Sequence, residues 1–125
     1  MKPNPVGWFE IYVADIERAK AFYETVLNTE LTKLDTPDAE IELLAFPMDM
    51  QSSGASGAIV KKSDCMPSGN GTLVYFSCEN CANEESRVES AGGKVQRPKM
   101  SIGQYGFITL AIDTEGNLFG LHSIK

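Results

Sequence analysis

The chain has 125 residues, 42% of them hydrophobic, and a formal net charge of −6. That is one ordinary domain with enough apolar content for a core, which excludes intrinsic disorder. An acidic chain whose largest basic block is Lys61-Lys62 repels phosphate backbones and anionic headgroups alike, so neither nucleic acid nor a membrane surface is an expected partner.

The pattern starts at Trp8–Val13, where Phe9, Ile11 and Val13 alternate with Trp8, Glu10 and Tyr12. Period-two alternation puts the two sets on opposite faces of a strand. Asp15 follows as a helix N-cap, and Ile16, Ala19, Tyr23, Val26 and Leu27, broadened by Phe22, recur at helical spacing over residues 16–27. Strand-like runs come next at 30–34, 41–46 and 57–61, divided by Thr36-Pro37-Asp38 and by the Gly/Ser segment 52–57. That segment lacks a Lys and a following helix, so it is not a phosphate loop. It is either a lip beside a site or an ordinary hairpin connection.

The order then repeats. A strand is predicted at 73–78, a helix at 82–91 closed by Gly92-Gly93, and strands at 94–97, 107–112 and 118–123. The last two are joined by the turn Asp113-Thr114-Glu115-Gly116-Asn117. Residues 63–71 read as a linker. The expectation is one domain over 1–125, made of βαβββ modules at about 6–62 and 72–125. Each sheet would bury one face under its helix, and pairing the open faces would enclose a cup for a ligand.

No apolar run reaches the roughly 20 residues that cross a bilayer. Met1-Lys2-Pro3-Asn4-Pro5 lacks the apolar stretch of a signal peptide, and three cysteines cannot form a complete disulfide framework within one chain. A cytoplasmic location is expected.

The strand at Trp8 followed by Asp15-Ile16-Glu17-Arg18-Ala19 and Phe22-Tyr23 resembles the opening module of the vicinal-oxygen-chelate superfamily. That superfamily includes glyoxalases, bleomycin-resistance proteins and dioxygenases. Ala91-Gly92-Gly93-Lys94-Val95 resembles its helix exit, and Ile112 to Leu121 its closing hairpin. The resemblance implies an α+β fold, two tandem βαβββ modules forming a curved mixed sheet with a cup-like cavity. It does not fix the function, because lyases, epimerases, dioxygenases and drug-sequestering proteins share the fold. In the metal-dependent members four inward His, Glu or Gln side chains hold one divalent ion. The matching positions here are Trp8, Leu73, Gly120 and a residue within 57–61, none of which brings a donor. No metal and no other cofactor is therefore expected.

Alternation places Trp8, Glu10, Tyr12, Leu73, Tyr75, Ser77, Gly120 and His122 toward the cup, with Phe9, Val74, Phe76, Phe119 and Leu121 toward the helices. Glu10 reads either as an acid/base with a raised pKa in an aromatic surround, or as a carboxylate paired locally or facing solvent. His122, the only histidine, reads as a second acid/base or as an ordinary residue near a frayed C-terminus. Tyr105 flanks Gly106 and would stack on a flat ligand or pack a dimer seam. Cys78-Glu79-Asn80-Cys81 has C-x-x-C spacing but no second metal-binding pair, so Cys78 reads as core and Cys81 as a helix start. Cys65 reads as a loop thiol.

Two functions follow. One is a metal-independent small-molecule-binding protein holding an amphipathic or aromatic ligand on Trp8, Tyr12, Leu73, Tyr75, Tyr105 and Gly120, anchored by Glu10 and His122. The other is a metal-independent isomerase or lyase on a small carbonyl compound, with Glu10 and perhaps His122 as catalytic groups. Lactoylglutathione lyase activity is not expected, since stabilising an enediolate calls for a metal. The apolar open face argues for a homodimer.

Overall fold

A computed structural model describes residues 4–62 and 71–125. The first half contains β1 (Val6–Tyr12), α1 (Ile16–Leu27), β2 (Thr32–Leu34), β3 (Ile41–Ala45) and β4 (Ser56–Lys62). The second contains β5 (Thr72–Ser77), α2 (Cys81–Val88), β6 (Lys94–Ser101), a 3-10 turn (Gly103–Tyr105), β7 (Phe107–Ile112) and β8 (Leu118–Ser123). The fold is α+β with mixed pairing: β5 runs parallel to β8, while β2–β3, β3–β4, β6–β7 and β7–β8 are antiparallel. Among the described residues no helix is long and apolar enough to cross a membrane. The linker expected at 63–71 lies outside the described residues except for Gly71, as does Cys65.

The chain divides into two compact units. One is Phe9–Thr72; the other is Leu73–Lys125 with the N-terminal segment through Trp8. In the Phe9–Thr72 unit, α1 starts where Asp15, in extended backbone, accepts the Arg18 amide at 3.0 Å. Glu17 in the first turn complements the helix dipole. The helix stops at Asn28, whose left-handed backbone turns its amide back to the Glu24 carbonyl. The Glu24 carboxylate also takes the Leu31 amide at 2.8 Å, fixing the path into β2. Ile16, Leu31 and Ile59 form the core, packed by Ile11, Val13, Ala19, Tyr23, Leu44 and Phe46. The rings of Phe9 and Tyr23 lie 5.7 and 5.8 Å from that of Phe46. Phe9, Ile11 and Val13 thus share the α1 side, as the alternation requires.

In the second unit the strand order is β5-β8-β7-β6, with the start of β1 beside β5, where Ser77 donates to the Pro5 carbonyl at 2.9 Å. Helix α2 is shorter than the expected 82–91. It begins at Cys81, capped by Asn80 on the Ala82 amide at 3.0 Å, and breaks into a turn after Val88, with Gly92 at φ 103°. Strand β6 is longer than the expected 94–97 and continues past Pro98. It is the last strand of its unit, so a missing amide facing no partner costs nothing, and register shifts at Val95/Arg97 and Arg97/Met100 absorb the misfit.

Of the two thiols, Cys81 starts the helix as expected, but Cys78 is not the core residue. Cys81 starts α2 and is also fully buried, its amide donating to Ser123 Oγ at 3.0 Å, whereas Cys78 is only half-buried. Burial, followed by the neighbouring Glu84 carboxylate, raises the Cys78 thiol from its ordinary 9.0 to about 11. The folded chain keeps this proton at a pH where the unfolded chain has lost it. The contribution is therefore intact below pH 9 and is lost as pH climbs toward about 11. Iodoacetamide should alkylate Cys78 far more slowly than an unfolded cysteine at pH 8, as read by peptide mass mapping. Equal rates would contradict this placement.

Candidate functional site

The two faces of the β5-β8-β7 sheet differ in chemistry. The face toward α2 carries Phe76 and Phe119, with rings 5.9 Å apart, and the fully buried Thr109. The Thr109 hydroxyl donates to Glu85 Oε1 at 2.8 Å, and the same oxygen accepts the Lys99 amide at 2.7 Å. This side is helix-packing core.

The opposite face is set by register. Tyr75 and Ser77 pair with Gly120 and His122 across the parallel β5–β8 ladder, and Gly120 and His122 pair with Leu110 and Ile108 across β7–β8. Leu73 and Tyr75 are 2% and 6% exposed, and His122, Ile108 and Leu110 are half-buried. The Tyr75 ring lies over Gly120 so closely that a Cβ there would fall within the ring. Glycine at 120 is thus what lets the Tyr75 ring approach β8 this closely. Ile108 and Leu110 were not singled out from the sequence. The alternation of Thr109 and Ala111 with them on β7 was the signal that could have found them.

His122 lies within β8, not in a frayed end. Its Nε2 is 2.7 Å from the Tyr105 carbonyl oxygen. A carbonyl only accepts, so Nε2 carries a proton in this bond, and Nδ1 is the ring nitrogen turned away from it. Tyr105 meets this face through its backbone. The chain turns there at Gly106, φ 105°, where a Cβ would strike the Ser123 carbonyl. Trp8 is half-buried at the end of β1 that belongs to this unit. Glu10 and Tyr12 belong to the Phe9–Thr72 unit. There the Tyr12 hydroxyl donates to Glu10 Oε1 at 2.8 Å, which sets both side chains on one face of β1.

Residues 6–28 match the family model described as bleomycin resistance protein-like N-terminal. No curated protein matches the chain in sequence. Among solved structures, a hypothetical protein of Bacillus halodurans is similar over 99% of this chain and 96% of its own, at 14% identity and TM-score 0.76. A variant of Streptomyces coelicolor methylmalonyl-CoA epimerase in complex with 2-nitronate-propionyl-CoA is similar over 98% of both chains, at 14% identity and TM-score 0.69. The methylmalonyl-CoA epimerase of Mycobacterium tuberculosis covers 97% of this chain and 88% of its own, at 16% identity and TM-score 0.68. The chain has the vicinal-oxygen-chelate fold.

Metal-bearing members of the vicinal-oxygen-chelate fold would use positions Trp8, Leu73 and Gly120 in this unit. These residues do not fit an ion. None has a donor atom for a metal, and the space where a side chain at 120 would begin is filled by the Tyr75 ring. Among the described residues, no group of three or more His, Cys, Asp or Glu side chains is placed to hold one either.

Proposed function

We propose that the protein is a metal-independent small-molecule-binding protein of the glyoxalase/bleomycin-resistance type. Its ligand is small and partly aromatic or amphipathic. It lies against the sheet face away from α2, with Leu73, Tyr75 and Gly120 beneath it, Trp8 and Tyr105 beside it and His122 Nδ1 as a polar contact. The observation that carries this reading is the Tyr75 ring on Gly120: an aromatic platform stands where metal-bearing relatives need a ligand. The bleomycin-resistance-like match at the N-terminus supports the same class. Trp8 is the only tryptophan, so its fluorescence reports on the face. A screen of small aromatic compounds should yield ligands that shift Trp8 emission and raise the melting temperature in the presence of chelator. Tyr75→Ala should abolish that response.

A second reading is supported by the hydrogen-bonded Tyr12–Glu10 pair and by the epimerase names among the structural neighbours. In it, Glu10 moves a proton next to the carbonyl of a small substrate, as a metal-independent isomerase or lyase. Glu10→Gln keeps an acceptor for the Tyr12 hydroxyl and should change stability by less than about 1 kcal/mol. If the second reading holds, wild-type protein incorporates deuterium next to the carbonyl of a small acyl thioester in D2O and Glu10→Gln does not. Equal exchange in both removes Glu10 from any such chemistry.

The protein is proposed to be cytoplasmic and to pair with a second copy. Helix α1 leaves Phe22, Val26 and Leu27 more than half exposed, an apolar stripe that a partner would cover. Sedimentation at micromolar concentration should give twice the 13.6 kDa of one chain; a monomer throughout would contradict the pairing.

A further inference from the structure

A cavity lies on the α2 side of the same sheet, away from the face described above. It measures about 330 Å³ and opens between α2, the turn that follows it and the β7–β8 hairpin. Its apolar wall is Val88, Ile112, Phe119 and Leu121. The charged groups around it are Glu84, Arg87 and Asp113.

The cavity follows from the sequence of α2. Where a core-facing helix would place apolar residues, Cys81-Ala82-Asn83-Glu84-Glu85-Ser86-Arg87-Val88 carries two adjacent glutamates. Glu85 is satisfied by Thr109 and the Lys99 amide. Glu84 is only partly satisfied: its carboxylate meets the Cys78 thiol, while its Oε1 is buried and has no hydrogen-bond partner. A carboxylate oxygen removed from water without a donor is costly, and that cost falls when a donor enters. Rotation about the last bond of a glutamate side chain is soft, so the oxygen can be turned to meet one. Asp113 stays ionised, its carboxyl held below the usual range by the backbone amides of Asn117 and Glu115. Two carboxylates against one guanidinium leave the rim net negative.

We infer that this cavity is a binding site for a small organic ammonium ion, its N–H groups donating to the Glu84 carboxylate and its hydrocarbon body resting on Val88, Ile112, Phe119 and Leu121. The volume suits a ligand of that size. This inference stands apart from the proposed function, because Phe119 and Leu121 point to the opposite side of the sheet from Gly120 and His122.

The test uses benzylammonium, with benzyl alcohol and phenylacetate as neutral and anionic matches, titrated into isotope-labelled full-length protein by NMR. Benzylammonium should shift amides at 84–93 and 112–114 and bind about tenfold or more tightly than either match, as a charge-assisted bond requires. Glu84→Met should stay folded, as its melting temperature reads, because it removes a buried oxygen that has no donor, and should lose the response. Three results would overturn the inference: phenylacetate binding best through Arg87, shifts confined to 73–77 and 118–122, or undiminished binding to Glu84→Met.

Discussion

Gly120→Val is expected to destabilise the protein by about 3 kcal/mol, the upper part of the range for forcing extra carbon into a packed interior. Strand propensity alone points the other way, since valine suits a strand and glycine weakens one. Sterics decide the outcome. A Cβ at 120 would fall within the Tyr75 ring, Tyr75 is 6% exposed, and β8 is paired on both sides, by β5 and β7. The ring must leave its rotamer or the ladder must part. Urea denaturation reads the loss directly. Introduced into Tyr75→Ala, the same substitution should cost little, because the obstructing ring is gone; that non-additivity assigns the effect to this contact. If Gly120→Val is neutral or stabilising in the wild-type background, Tyr75 does not cover Gly120 in solution.

Ile59→Ala should cost a similar or larger amount, between about 2 and 5 kcal/mol. Ile59 is fully buried in β4, opposite Leu44 in β3, and packs with Ile16 and Leu31. Removing three carbons there loses their transfer from water and leaves a cavity that helix and strands cannot both close. A small domain has only about 5–15 kcal/mol in total, so this one change takes a large share of it. The contrasting substitution is Val26→Ala on the exposed side of α1, expected to shift the monomer's stability by less than about 0.5 kcal/mol.

Local pattern carried much of the fold. Asp15 and the apolar spacing after it define α1 at Ile16–Leu27 in both readings, because cap and stripe act within a few residues. Alternation also sorted the strand faces. Phe9 lies with Phe46, Phe76 lies with Phe119, and Tyr12 reaches Glu10. Failures came where a partner strand decides. Pro98 reads as a strand end, yet an edge position and two register shifts carry β6 to Ser101. Residues 30–31 look like strand, but Leu31 serves the core while its amide is taken by Glu24, so β2 starts at Thr32. Strand alternation points Cys78 into the core, yet the fully buried thiol is Cys81, whose amide is held by Ser123, 42 residues away.

The candidate site was legible in the same limited sense. Leu73, Tyr75, Gly120 and His122 fall on one face, as the alternation of each strand implies. That Tyr75 lies on Gly120 depends on the β5–β8 register, which joins residues 45 positions apart and leaves no local trace. The bond from His122 to the Tyr105 carbonyl is equally non-local, and it makes the Tyr105 backbone an anchor for the imidazole.

The central claim is a small-molecule ligand held without metal on the Tyr75–Gly120 face, and the most direct measurement is an NMR-monitored ligand screen of chelator-treated protein whose metal content has been checked by elemental analysis. The account expects an aromatic or amphipathic compound to shift amides at 73–77, 108–110 and 118–122 with no metal present, and expects Tyr75→Ala to lose those shifts. Binding that appears only when a divalent ion is restored, with that ion bound one to one, would contradict it.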